Sequence, residues 1–99
     1  FGGATDYLGV EQALHYLAGD WNEEDALKQV ASSAIYRSTM QYVMAIERIA
    51  YGDRDGARRH FEECLQTPQF ETTARAWAQA RLARMDRDPN WPDWIEKQP

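Results

Sequence analysis

The stretch MAIERIAYGDRDGARRHFEECL, residues 44–65, decides the fold. Its apolar residues recur at the spacing of a helix on both sides of Gly52, and no strand-like alternation interrupts them. At offsets of 5, 9, 12 and 13 after this glycine stand Ala57, Phe61, Cys64 and Leu65. Glycine adopts a left-handed helix cap at little cost. The stretch therefore predicts two helices joined by a sharp turn.

Glycines and prolines divide the rest of the chain into similar segments, rich in residues that favour helices. We predict an all-α domain over residues 1–99, with helices at 7–18, 23–34, 36–51, 54–67 and 70–86. The tail 88–99 is predicted to be an extended or turn segment. Asn22 is a predicted N-cap, and the third helix is apolar around most of its circumference. Such a helix is expected to pack on two sides.

Residues 38–71 resemble a tetratricopeptide repeat. In that repeat a small residue, here Ala45, lets the second helix approach, a Gly-Asp turn reverses the chain, and the four offsets after the glycine are kept. Three positions depart from the pattern. Gln41 replaces a common aromatic residue, Arg48 replaces a common tyrosine, and Pro68 comes one place early.

Residues 7–34 resemble a degenerate copy of the same repeat, lengthened by one residue in its turn. The full order is similar to the C-terminal repeats of bacterial tetratricopeptide lipoproteins and related multi-repeat proteins. This resemblance implies antiparallel helical hairpins stacked as a right-handed repeat, with the helix at 70–86 as a cap. It also implies a concave side that binds peptides or protein segments.

Composition narrows the possible functions. Hydrophobic residues make up 43% of the chain and charged residues 27%, and the net charge of −5 argues against nucleic-acid binding. No apolar run approaches the roughly 20 residues that span a bilayer. The start at Phe1 lacks the basic and apolar stretches of a signal peptide, which slightly favours the cytoplasm, and lacks Met, as in an excised segment. Cys64 is alone, which excludes an internal disulfide.

Several residues invite a chemical interpretation, and for each a structural one is favoured. His60 and Cys64 lie four apart, as metal ligands or a base and nucleophile would, but a core thiol is the simpler assignment. Glu11 and His15 share this spacing and are interpreted as a surface contact. The acidic residues 20–25 fit a helix N-terminus better than a calcium loop. We expect no catalytic centre, metal or cofactor.

The sequence favours a non-catalytic scaffold or adaptor module that binds a protein or peptide. The expected partner surface is the face left open by the first, third and fifth helices, with Tyr16, Tyr42, Arg48, Arg75 and Gln79. Trp91 and Trp94 either dock on another subunit or fold back over the fifth helix, and the second is favoured. The alternative function is a terminal structural cap or dimerisation segment of a larger repeat protein, with or without a fused enzyme domain.

Overall fold

The computed structural model describes residues 9–66 and 73–92. These residues form five helices and no strand: α1 Val10–Leu17, α2 Glu23–Gln29, α3 Ala34–Ala50, α4 Arg54–Leu65 and α5 Thr73–Arg87. The predicted all-α fold class is confirmed. Within the described ranges, no helix has both the length and the apolarity needed to cross a membrane.

The start of α2 follows the prediction, but its end does not. Asn22 caps the helix, because its side chain accepts a hydrogen bond from the N–H of Asp25 at 2.8 Å. The predicted continuation to residue 34 is wrong, since α2 ends at Gln29 and Ala34 already begins α3. There the Ser33 hydroxyl accepts a hydrogen bond from the N–H of Tyr36 at 3.2 Å. A serine that caps a new helix competes with continuation of the old one.

The other helix ends differ from the predictions by up to three residues, since α1 starts at Val10, α3 runs from Ala34 to Ala50 and α4 ends at Leu65. Gly9 has a φ of 78° and precedes α1, whose predicted residues 7 and 8 lie outside the described range. The predicted ends at 67 and 70 also fall outside it. The last helix continues one residue past the predicted end, to Arg87.

The turn between α3 and α4 is built as the glycine predicts. Gly52 has a φ of 85°, in the left-handed region, and its N–H donates to the carbonyl of Ile49 at 3.0 Å. The N–H of Asp53 donates to the carbonyl of Arg48 at 2.8 Å. The Asp53 carboxylate then caps α4 by accepting the N–H of Gly56 at 2.9 Å. Asp53 therefore links the end of α3 to the start of α4.

Two groups of buried side chains form the core, and α3 contributes to both. The first lies between α3, α4 and α5 and contains Ala45, Ile49, Ala57, Phe61, Cys64, Ala74, Ala78 and Met85. The second lies between α1, α2 and α3 and contains Tyr16, Ala26, Val30, Met40 and Met44. The prediction that the third helix packs on two sides is confirmed. What remains of its surface forms the floor of a groove.

Candidate functional site

The floor of this groove is a stripe of α3 that neither core covers. Tyr42, Ile46 and Ala50 recur at intervals of four residues, so their side chains lie in one row along the helix. A second row beside it contains Val43, Glu47 and Tyr51. Together with Leu17 of α1, these six residues enclose a cavity of about 400 Å³. We call this cavity and its continuation toward α5 the α3 groove.

A second cavity lies on the side toward α5 and shares part of this floor. It measures about 300 Å³ and is lined by Ile46, Ile49, Ala50, Arg81 and Trp91. Ile46 and Ala50 line both cavities, so the two cavities adjoin on the surface of α3. The α3 groove is therefore bordered by Leu17 of α1 on one side and by Arg81 of α5 and Trp91 on the other.

Aromatic side chains connect the groove to the core beneath it. The Tyr42 ring lies 5.8 Å from that of buried Phe61 and 5.6 Å from that of Trp77, centroid to centroid. Trp77 is 54% exposed, an unusual position for so large an apolar side chain. Tyr51 is 74% exposed at the end of α3. Large apolar surface of this kind marks interaction sites on soluble proteins.

Trp91 is held in the groove wall by its backbone. Its N–H donates to the carbonyl of Asp88 at 3.0 Å, and its carbonyl accepts a hydrogen bond from Arg54 at 2.9 Å. The guanidinium carbons of Arg81 and Arg84 lie 6.0 Å and 5.7 Å from its ring centroid. Trp91 thus folds back against the first core, whereas Trp94 lies outside the described residues.

A polar network on the opposite flank of α3 holds α1 and α2 in place. Arg48 donates to the Glu23 carboxylate at 2.6 and 3.0 Å and to Asp53 at 2.8 Å. The Tyr16 hydroxyl donates to Glu47 and, at 3.5 Å, to Glu23. Four helix segments and one turn meet in this network, which we call the Glu23 network. His60 of α4 completes it at 3.3 Å from Glu23.

Contacts and burial shift the pKa of four of these groups, namely Glu23, Asp53, Tyr16 and His60. The hydrogen bond from Arg48 lowers the pKa of Glu23, and the bond from the N–H of Gly56 lowers that of Asp53. Burial raises the pKa of Tyr16, and the Glu47 carboxylate adds to this. Burial also lowers the pKa of His60, despite the nearby Glu23 carboxylate. The network contains three carboxylates, those of Glu23, Glu47 and Asp53, and one guanidinium, that of Arg48.

The structure separates the residues predicted to bind a partner. Tyr42 and Trp91 line the α3 groove. Tyr16 and Arg48 belong to the Glu23 network, which occupies their polar groups. Arg75 donates to the carbonyl of Leu65 at 2.7 Å. Gln79 is exposed on α5 and lines neither cavity.

Sequence analysis missed most of the groove-lining residues. Leu17, Ile46, Tyr51 and Arg81 line the groove, and Trp77 stacks beside it, but none was predicted to bind a partner. The sequence signal for these residues was the apolar circumference of the third helix. After two of its sides are packed, Ile46 and Ala50 remain exposed on a third.

The pairs of residues with possible chemical roles have structural partners. The Cys64 sulfur lies 3.2 Å from the Ser38 hydroxyl, and both residues are fully buried. His60 is directed to Gln41 at 2.6 Å and to Glu23, away from a shared site with Cys64. His15 pairs with Asp20 at 2.6 Å. Within residues 9–66 and 73–92, no group of three potential ligands could hold a metal ion.

Comparison of the chain with protein-family models, curated proteins and solved structures finds no match.

Proposed function

We propose that this chain is a non-catalytic protein–protein interaction module of the tetratricopeptide type, acting as a scaffold or adaptor. The α3 groove is its binding surface. The observation that carries the proposal is the pair of adjoining, mostly apolar cavities between half-exposed Leu17 and Trp91, with half-exposed Trp77 beside Tyr42 of their floor. Concave, mostly apolar surfaces with a few polar groups are the usual form of a binding site.

The tetratricopeptide part of the proposal rests on the residues that carry the resemblance. Ala45, Ala57, Phe61 and Cys64 are all fully buried. They lie together in the core between α3, α4 and α5, as small and aromatic residues at a close helix contact should. Gly52 has the positive φ that the turn requires.

The proposed role involves no catalysis. Cys64 is the side chain with the greatest intrinsic nucleophilicity, yet it is fully buried and burial raises its pKa. The carboxylates nearest a histidine are those of Asp20 and Glu23, which serve a surface contact and the Glu23 network. Binding therefore explains more of the exposed surface than catalysis does.

A capture experiment with two matched variants tests the proposal. The tagged chain is incubated with lysate of the source cells beside Ala50→Arg and Ala83→Arg. Ala50 lines both cavities, whereas Ala83 is exposed on α5 and lines neither. A partner retained by the wild type and by Ala83→Arg, and lost from folded Ala50→Arg, supports the proposal. Equal retention by both variants contradicts the assignment of the groove.

A second candidate is a terminal cap or dimerisation segment. It is favoured by Tyr51 and Trp77, whose exposed rings could be covered by another copy or repeat as well as by a partner. Light scattering across a concentration series separates the two candidates. A concentration-dependent dimer that Ala50→Arg abolishes favours the second, and a monomer at all concentrations argues against its dimeric form.

A further inference from the structure

We infer that the α3 groove takes an amphipathic helix of a partner protein, laid lengthwise along α3, with an acidic side chain on the flank that faces Arg81. The inference rests on the proposed function and specifies its ligand. It follows from the direction of the apolar rows, the chemistry of the walls and the position of one arginine.

The direction of the groove follows from the two rows on its floor. Tyr42, Ile46 and Ala50 are spaced by four residues, as are Val43, Glu47 and Tyr51. At 1.5 Å per residue these rows extend about 14 Å along α3. Ala50 lines both cavities near one end, where its small side chain permits a close approach of another backbone. A segment laid along these rows can contact all six of these side chains.

The chemistry of the walls favours a helix over an extended peptide. Of the seven residues that enclose the larger cavity, only Glu47 is charged, and its carboxylate already accepts a hydrogen bond from Tyr16. An extended peptide would place backbone N–H and C=O groups against apolar side chains without partners. A helix satisfies these groups internally and presents only side chains, as helices in apolar grooves do.

The charge of the occupant follows from Arg81. It lines the smaller cavity, is exposed, and forms no ion pair with any residue in the described part of the chain. Two other arginines differ, since Arg84 pairs with Asp88 at 3.6 Å and Arg58 pairs with Asp86 at 2.9 Å. A carboxylate on the occupant would give Arg81 an ion-pair partner in addition to the Trp91 ring, whose centroid lies 6.0 Å from its guanidinium carbon.

Synthetic helices test the inference directly. The probe is a peptide of about 14 residues, stapled on its polar face because a free helix of this length is marginal in water. Leucines at intervals of four, three and four form its apolar stripe, and glutamates border the stripe on one side. A matched peptide carries lysines in place of the glutamates, and a third is interrupted by proline. Binding is measured by calorimetry to wild type, Arg81→Gln and Ala50→Arg.

The glutamate peptide is expected to bind about three- to fivefold more tightly than the lysine peptide, the range of an exposed ion pair. This preference should weaken with salt and vanish in Arg81→Gln, and Ala50→Arg should lose both peptides. Equal binding of both charges overturns the acidic flank. Equal binding of the proline peptide overturns the helical occupant.

Failure of every peptide, with a partner still lost from Ala50→Arg in the capture experiment, would overturn this occupant and leave the proposed function standing. A chain ended at Pro92 is run in parallel. If only that variant binds the peptides, the groove belongs to the chain's own last residues and the inference is wrong.

Discussion

The guanidinium of Arg48 holds the carboxylate of Glu23 through two hydrogen bonds, of 3.0 Å from Nε and 2.6 Å from Nη2. The two residues are 25 positions apart, and their pairing joins the first turn of α2 to the last turn of α3. This two-point geometry matches the planar fork of arginine to a carboxylate. It fixes the α1–α2 pair against the helix that carries the groove, so the wall at Leu17 depends on it.

A double-mutant cycle measures this coupling. We expect Glu23→Ala and Arg48→Ala to be coupled by about 1 kcal/mol in the free energy of unfolding, within the range of contacting residues. The side chains are 28% and 35% exposed, so solvent screens the pair only in part. The exposed Glu24–Lys28 pair, at 3.5 Å, is the matched control, with an expected coupling of about 0.3–0.5 kcal/mol. Urea unfolding of the seven proteins, the shared wild type included, measures both couplings, and equal couplings would contradict the prediction.

Acid is expected to destabilise the protein through His60. Its pKa in the folded protein lies below the ordinary value of 6.5 because of burial. The unfolded chain therefore takes up this proton first, and stability falls as the pH drops below about 6.5. Glu23 has a lowered pKa, so its contribution is present above 4.5 and is lost as the pH falls further.

The measurement is the free energy of unfolding of wild type and His60→Gln from about pH 8 to about pH 4. These limits lie about 1.5 pH units above and about 2.5 pH units below an ordinary histidine pKa. The variant should show a shallower loss between neutral pH and about pH 5 and keep the loss near pH 4. An unchanged slope in His60→Gln would assign the acid sensitivity to other groups.

The parts of the fold set by local chemistry were predictable. Gly52 marks the α3–α4 turn because its left-handed φ is open to few other residues, and Asn22 marks the start of α2. The wrong prediction for the end of α2 also came from a local pattern. The apolar spacing continues through Val30 and Ala34, so the sequence pattern does not show that α2 ends at Gln29. The end becomes visible in the structure, where the Ser33 side chain caps α3.

The site was less predictable, because its geometry depends on distant pairs. Nothing local to Arg48 shows that Glu23 lies beside it, so the sequence does not reveal that this arginine holds α2. The same applies to Tyr16, whose hydroxyl donates to Glu47, 31 residues away. Nothing local to Arg81 shows that it lines a cavity beside Trp91.

Cys64 is expected to resist thiol reagents in the folded protein. It is fully buried and its pKa is raised by burial, so little reactive thiolate is present or accessible. A colorimetric disulfide reagent should modify the native protein far more slowly than the urea-unfolded one. Ser38→Ala removes the hydroxyl 3.2 Å from the sulfur without opening α4, and slow labelling should persist. Fast labelling of the native wild type would show that the core between α3 and α4 opens readily.

The Gly56→Ala substitution is expected to lower the free energy of unfolding in wild type and to raise it in an Asp53→Ala background. A Cβ at this position would lie 2.2 Å from the Asp53 Oδ2 atom, so the capping carboxylate must move. In wild type, Gly56→Ala gains up to about 1 kcal/mol of helix propensity. It loses about 1 kcal/mol from the cap and weakens the Asp53 contact with Arg48, so we expect net destabilisation.

In an Asp53→Ala background the obstacle and the cap are both absent. There Gly56→Ala should raise the free energy of unfolding by up to about 1 kcal/mol, because only the helix propensity changes. Urea unfolding of the four proteins, read by circular dichroism, measures both steps. The same sign in the two backgrounds would mean that the Asp53 carboxylate moves aside at no cost. In that case the bonds to Gly56 and Arg48 would contribute little to the start of α4.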